Sequence, residues 1–285
     1  MAAQGWEFHV TPWYAPDETL ARLARGLRLA ADGPCPGASD LSAELARLRS
    51  RLTPEEGERL AALGADCELA VARAALEAAP GQTEQAISAR LAYEAELLGI
   101  KPITVIAAAD ERIYRYRHAL PTPKPIARYL MLVLNGQRHG LVSTVTRFVH
   151  FGPLPAGLKQ AHEITGVLFD RLMAATRPGR PLGEVFALAQ AEYARAGAPE
   201  AWRDHHQGGA AGYEPREFFV TPGTQETVIP GQAFVWNPAL DGARSVDLFL
   251  VGAETNRIVS HYDVWPTQAY EVAGRPVFRP AVWVR

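Results

Sequence analysis

Apolar residues recur at helical spacing from residue 54 to about residue 79, and both ends of that run are marked. Thr53 stands at the N-cap, Pro54 at the first helical position and Glu56 three residues after the cap, the arrangement of a capping box. Pro80 and Gly81 stop the run. A second helix is predicted over 83–98, closed by Gly99. The period then changes: PITVIAAAD, RYLMLVLNG and GLVSTVTRFVHFG are β-rich and set apart by turn residues. The same order follows again. A helix over 161–177 ends at Pro178 and Gly179, a helix over 182–196 ends at Gly197, and QAFVWNPAL and SVDLFLVG read as strands.

Helix, Pro-Gly, helix, Gly, strands therefore occurs twice. The two Pro-Gly pairs are too far apart for a solenoid period. A two-fold internal duplication fits better, with the strands of both halves forming one curved sheet under the helices. The predicted fold class is α+β. Residues 1–50 read as a truncated N-terminal segment: a helix in DETLARLARGLRLAADG, a turn-rich PCPGASD and a further helix in SDLSAELARLRSRL. The expected domains are thus 1–50 and 51–285.

Composition narrows the classes. At 285 residues the chain can bury a full core, and 48% hydrophobic with 21% charged residues is ordinary for a globular protein. A formal net charge of −2, with no basic run and no zinc-finger spacing, argues against a nucleic-acid partner. No apolar stretch approaches the roughly 20 residues that a spanning helix needs, so no membrane partner is expected. The opening MAAQGWEFHVTPWY has neither the charged nor the apolar region of a signal peptide. Cys35 and Cys67 are too isolated for a disulfide framework or a thiolate metal site. A cytoplasmic location is expected. His-Glu-x-x-His, a phosphate loop, a Gly-x-Ser-x-Gly elbow and a Rossmann fingerprint are all absent from the sequence.

The chemistry concentrates in RDHHQGGAAGYEPREF, residues 203–218, where adjacent histidines, three glycines, two arginines and two glutamates fall within sixteen positions. Four stretches together carry a resemblance. LTPEEGERLAALGADCELAV and PGQTEQAISARLAYEAELLGI match an entry helix and a second helix. GLVSTVTRFVHFG is similar to a Gly-Tyr-x-x-Asp-x-Thr-Arg strand, and HQGGAAGYEPRE to a His-Gly-x-Gly-His-x-x-Gly-x-x-x-His-Glu turn. Over about 45–260 the chain resembles the creatinase/methionine-aminopeptidase superfamily. The resemblance implies the pita-bread fold, an internally duplicated, curved antiparallel sheet covered by helices. It also implies that the N-terminal domain carried by prolidases and creatinases is here shortened.

Peptidases of that superfamily bind two metal ions through two aspartates, one histidine and two glutamates. On the resemblance those five places fall to Val133, Thr144, His206, Asn237 and Val246, and a one-residue slip brings in Asp247. Only the histidine is kept, so no metal ligand and no cofactor are expected. The reading is a metal-independent creatinase-like enzyme that uses histidine acid/base chemistry on a C–N bond of a small, polar, anionic substrate. An Xaa-Pro aminopeptidase or dipeptidase-like metallopeptidase and a non-catalytic pita-bread binding protein stay open as alternatives.

His206 is the expected acid/base, since an imidazole of ordinary pKa exchanges protons near neutrality. Glu217 is expected to orient it. His118, in YRYRHALPTPK, is its expected partner, about where the family places a pocket histidine outside the metal shell. Arg216 takes the place of a second peptidase histidine and is expected to clamp a carboxylate. Asn237, Tyr213, Arg147 and Gly209 complete the expected substrate-binding set, the glycine by letting backbone approach a ligand. His205 is expected to be structural or exposed. A homodimer is expected, because in related enzymes the N-terminal domain, often the dimer partner's, covers the pocket.

Overall fold

The computed structural model describes residues 5, 7–260, 265–272 and 274–285; residues 1–4 and 6, on which the reading of the leader partly rests, lie outside the described residues. The chain divides into two compact units, Met1–Leu48 and Arg49–Arg285. The first carries α1 (Pro16–Leu23) and two short parallel strands, β1 (Leu29–Ala31) and β2 (Ala38–Asp40); α2 (Ser42–Arg49) runs to the division. The helix expected through 17–33 therefore ends early. Gly26, with φ +79°, breaks it, and the apolar residues after it form β1 instead.

In the second unit α3 (Pro54–Glu77) and α4 (Glu84–Leu97) precede β3 (Lys101–Ala109), the short α5 (Glu111–Arg115), β4 (Tyr129–Arg138) and β5 (Leu141–His150). The order repeats with α6 (Ala156–Ala175) and α7 (Leu182–Arg195). After them come β6 (Gly208–Ala211), β7 (Phe218–Phe219), β8 (Ala233–Trp236), β9 (Ala239–Leu240), β10 (Ala243–Arg244), β11 (Asp247–Leu250) and β12 (Arg257–Ile258). A hairpin of β13 (Thr267–Val272) and β14 (Arg275–Pro280) follows, and β15 (Trp283–Val284) pairs in parallel with β5. α3, α4 and α7 start where the sequence marks them, while α6 begins at Ala156, ahead of the 161 expected. Thr53 Oγ1 accepts from the Glu56 N–H at 3.2 Å while the Glu56 carboxylate accepts from the Thr53 N–H at 2.7 Å.

Hydrogen bonding groups the strands of the two halves in the orders β15-β5-β4-β3 and β12-β11-β8-β6-β7. The two sets meet where the Val142 N–H donates to the Gly212 carbonyl at 2.8 Å and where β11 runs beside β5. β4 and β5 pair without interruption from Tyr129–His150 to Arg138–Leu141. Their alternation decides what each face does. Leu130, Leu132 and Leu134 enter the core shared with Leu60, Leu63 and Leu91 of α3 and α4. Met131 and Val133 face the other way, with Tyr129 and Phe148. Truncating Leu132 to alanine in such a core costs about 2–5 kcal/mol. Among the described residues no helix is long and apolar enough to cross a membrane.

Candidate functional site

The face of β4 and β5 turned away from that core carries Val133, Asn135, Thr144 and Thr146, which line a cavity of about 230 Å³. In register, Val133 opposes Thr146, Asn135 opposes Thr144, and Thr104 of β3 stands on the other side of Asn135. The second half supplies His206 before β6, Arg216 and Phe219 around β7, Asn237 after β8, Arg244 on β10 and Val246 before β11. His118 comes from the segment after α5. All five places that the resemblance assigns, Val133, Thr144, His206, Asn237 and Val246, thus line one cavity.

The turn that carries His206 is fixed from behind by Gln207. Its side-chain amide donates to the carbonyls of Trp202 (3.0 Å) and His205 (2.8 Å) and accepts from Tyr193 Oη at 2.9 Å. Gly208 follows at φ +129°, where a Cβ would lie 2.1 Å from the Val235 carbonyl oxygen, so only glycine lets β6 meet β8 here. His205 Nδ1 lies 2.7 Å from the His206 carbonyl; a proton on Nδ1 satisfies that contact and leaves Nε2 as the open nitrogen. That Nε2 lies 3.4 Å from His118 Nε2, and the rings of His205 and His206 stand 4.0 Å apart. Asn237 Nδ2 lies 3.2 Å from His205 Nδ1.

The cavity is rich in polar atoms and in positive charge. Asn135 Oδ1, Thr144 Oγ1, Thr146 Oγ1, His206 Nδ1, Asn237 Oδ1 and Arg216 Nε are buried with no hydrogen-bond partner among the described residues. Buried polar groups are ordinarily paired, because an unmade bond costs about 1–3 kcal/mol. Burial brings Arg216 down to about 9, and burial together with Arg117 brings Arg244 down to about 10. Neither arginine has a carboxylate partner among the described residues. Arg216 donates to the Pro215 carbonyl, and Arg244 to the Arg117 carbonyl at 2.8 Å. Burial, with Arg244 and Arg216 near, lowers His118. Burial and then Arg244 bring His205 down to about 3; burial, then His205 and Arg216, bring His206 down to about 2. His205 and His206 are therefore neutral at neutral pH, and His206 does not have the ordinary pKa expected of it.

Four expected site residues lie elsewhere. Arg147, one position past Thr146, points through the sheet to the opposite face. There its Nε lies 2.6 Å from Glu68 Oε1 and its Nη2 lies 2.7 Å from Asp247 Oδ1. Glu217 does not touch His206: its fully buried carboxylate accepts from the Tyr213 and Glu214 N–H groups at 2.7 and 3.1 Å and pairs with Arg49 at 3.0 Å. Tyr213 donates its hydroxyl to Glu56. Gly209 is a packing residue, since a Cβ there would lie 2.0 Å from the Phe218 carbonyl oxygen. His118, His206, Arg216 and Asn237 are brought together, and His205 stands among them.

Sequence reasoning missed Thr104, Asn135, Thr146, Pro215, Phe219 and Arg244 as lining residues. The strand period offered a signal for two of them: Asn135 and Thr146 lie two positions beyond Val133 and Thr144, on the same face. None of the thirteen lining side chains is a carboxylate. Asp247, the residue a one-position slip would offer, is turned to the far face, where Arg147, Arg279 and Ser260 hold it.

The model of metallopeptidase family M24 matches residues 59–257. No curated protein matches the chain. Among solved structures, the dipeptidase PepE from Mycobacterium ulcerans is 19% identical with a TM-score of 0.82, covering 99% of this chain and 78% of that one. The prolidase from Pyrococcus furiosus is 20% identical with a TM-score of 0.72, covering 79% of this chain and 69% of that one. The N-terminal domain of FACT complex subunit SPT16 from chickpea, Cicer arietinum, is 11% identical with a TM-score of 0.72, covering 89% and 74%. At such identities the likeness is one of fold, and it bears out the expected pita-bread architecture.

Proposed function

The chain belongs to metallopeptidase family M24, and we propose that it hydrolyses a C–N bond of a small, carboxylate-bearing amide held in the cavity around His206. The observation that carries this reading is the pair Arg216 and Arg244, both facing the cavity with no acid partner among the described residues. A small anion supplies the missing charge, and guanidinium groups hold carboxylates in directed pairs. The unpaired atoms of Asn135, Thr144 and Asn237 supply hydrogen bonds to the rest of the substrate. His206, with a free Nδ1, takes a proton from the attacking water. The water oxygen bonds to the carbonyl carbon, the C–N bond breaks, and the leaving nitrogen receives the proton. His118, in the same cavity, is the partner in that transfer. Burial and then His205 hold His206 down first; an anion seated against Arg216 offsets only the smaller contribution of that arginine, and to that extent favours proton uptake by His206.

The family name implies bound metal, and the residues present can be tried against it. Val133, Thr144, His206, Asn237 and Val246 offer two alkyl chains, a hydroxyl, an imidazole and an amide. A dinuclear centre needs several anionic or imidazole donors converging at about 2 Å. That set does not fit it, and no step here runs through a metal. The comparisons nevertheless favour a metal-dependent peptidase over a creatinase-type enzyme, through the M24 match and the likeness to a prolidase and a dipeptidase. This second reading keeps the same cavity and bond and differs in what activates the water.

The test is hydrolysis of a panel of N-acyl amino acids and Xaa-Pro dipeptides by the purified chain, with and without added Mn²⁺ or Co²⁺. Turnover that needs no metal and is lost in His206→Ala supports the first reading. Turnover that appears only with metal supports the second.

A further inference from the structure

A second, open groove of about 370 Å³ adjoins the cavity, and His206 and Phe219 line both. The two rings stand 4.6 Å apart and form the partition. The chemistry changes across it. On the cavity side lie Arg216, Arg244 and the unpaired polar atoms; on the groove side lie Phe186, Trp202, Val220 and Pro222, with His205, Gln207 and Thr221 at its polar margin. Phe186 and Trp202 meet edge to face at 5.5 Å, and Arg203, itself paired with Glu200, lies 4.8 Å over the indole, so the groove is an aromatic surface without an unpaired charge. Phe219 is 51% exposed, a large apolar ring left at the crest between the two compartments.

We infer that the substrate is two-sided: its carboxylate end sits at Arg216 and Arg244, its other end is an aromatic or branched apolar group in the Trp202–Phe186 groove, and the bond to be cut lies over His206. The inference rests on the reading of the cavity as an anion site. It fixes what that reading leaves open, namely the class of acyl group. A purely polar substrate leaves the groove uncovered. An apolar amide without a carboxylate leaves both arginines uncompensated. A molecule with both ends joined by a short linker satisfies both compartments and must pass the one imidazole they share.

The experiment uses carboxylates that lack an amide and so are not consumed: butanoate and 4-phenylbutanoate, titrated calorimetrically into the full chain. Burial of the phenyl group should make 4-phenylbutanoate bind about tenfold more tightly than butanoate. In Trp202→Ala and in Phe219→Ala, each checked by its melting temperature, the ratio should fall towards one. Because Phe219 is half exposed, its variant keeps the test alive if Trp202→Ala does not fold. Equal affinities in the native chain, or a ratio unchanged in a folded variant, overturn the inference and leave the anion site standing. If neither carboxylate binds, the anion site itself falls, and the two-sided substrate with it.

Discussion

Asp247 turns its carboxylate away from the cavity and onto Arg147, whose Nη2 lies 2.7 Å from Oδ1. Both side chains are 2% exposed or less. Glu68, Arg279 and Ser260 close the group, and burial pushes Glu68 up to about 7 against the pull of Arg147. One strand position away on each side, Thr146 and Val246 line the cavity. Acidic chemistry is thus present within a residue of the site and is shut away on the other face.

A buried ion group of this kind is structural, and Arg147→Met tests it. Removing Arg147 strips buried Glu68 of its ion-pair partner and leaves Asp247 to Arg279 and Ser260, which costs about 3–5 kcal/mol. Urea denaturation should show that loss. A change below about 1 kcal/mol would contradict the assigned role.

Arg216→Gln should act in the opposite way. Among the described residues the guanidinium makes no bond beyond the neighbouring Pro215 carbonyl, so stability should hold or rise slightly. Affinity for a small carboxylate should fall by about tenfold or more, the worth of a charge-assisted hydrogen bond. Calorimetry of the variant reads both effects, and unchanged affinity would remove Arg216 from the site.

Glu217→Gln separates a loop anchor from a catalytic carboxylate. The side chain holds two backbone N–H groups and Arg49. Its loss should cost about 1–3 kcal/mol of stability. The pH profile of turnover in the folded variant should keep its shape, because the carboxylate does not reach His206.

Buried His162 contributes to the acid limb of stability. Burial takes His162 from 6.5 down to about 3, with its Nε2 at 2.7 Å from Tyr129 Oη. Below pH 6.5 the unfolded chain binds a proton that the folded chain refuses. Its contribution is therefore present in full above 6.5 and is lost as pH falls towards 3. Glu68 and Asp170, raised to about 7 and 6, pull in the other direction over the intermediate range. Comparing the melting temperature of His162→Gln with that of the native chain from pH 7 to pH 4 should show a shallower acid slope in the variant. A steeper one would contradict the burial argument.

Much of the scaffold was legible in the sequence because its signals are local. The Thr53–Glu56 box, the Pro-Gly stops and the strand runs are written in adjacent residues, and the duplicated order gave the architecture. The places at Val133, Thr144, His206, Asn237 and Val246 came from the family resemblance, which assigned them as the five metal-ligand positions. What failed depends on side-chain direction and distant contacts. Arg147 lies one position from a cavity residue and so faces the other way; Glu217 is claimed by Arg49, far away in sequence. Arg244 sits in a two-residue strand with no periodicity to expose it. The tail hairpin, β13 and β14, carries few alternating apolar positions. The depressed histidines follow from burial and neighbouring arginines, which no stretch of sequence displays.

The central claim is that the cavity cuts its amide without a dinuclear metal centre. The most direct measurement is the rate of N-acyl amino acid and Xaa-Pro dipeptide hydrolysis by chelator-dialysed protein, repeated after adding Mn²⁺ or Co²⁺, with bound metal quantified alongside. The account predicts turnover after dialysis, no stimulation by metal and loss of the rate in His206→Ala. Stoichiometric metal binding, with hydrolysis appearing only in its presence, would contradict it.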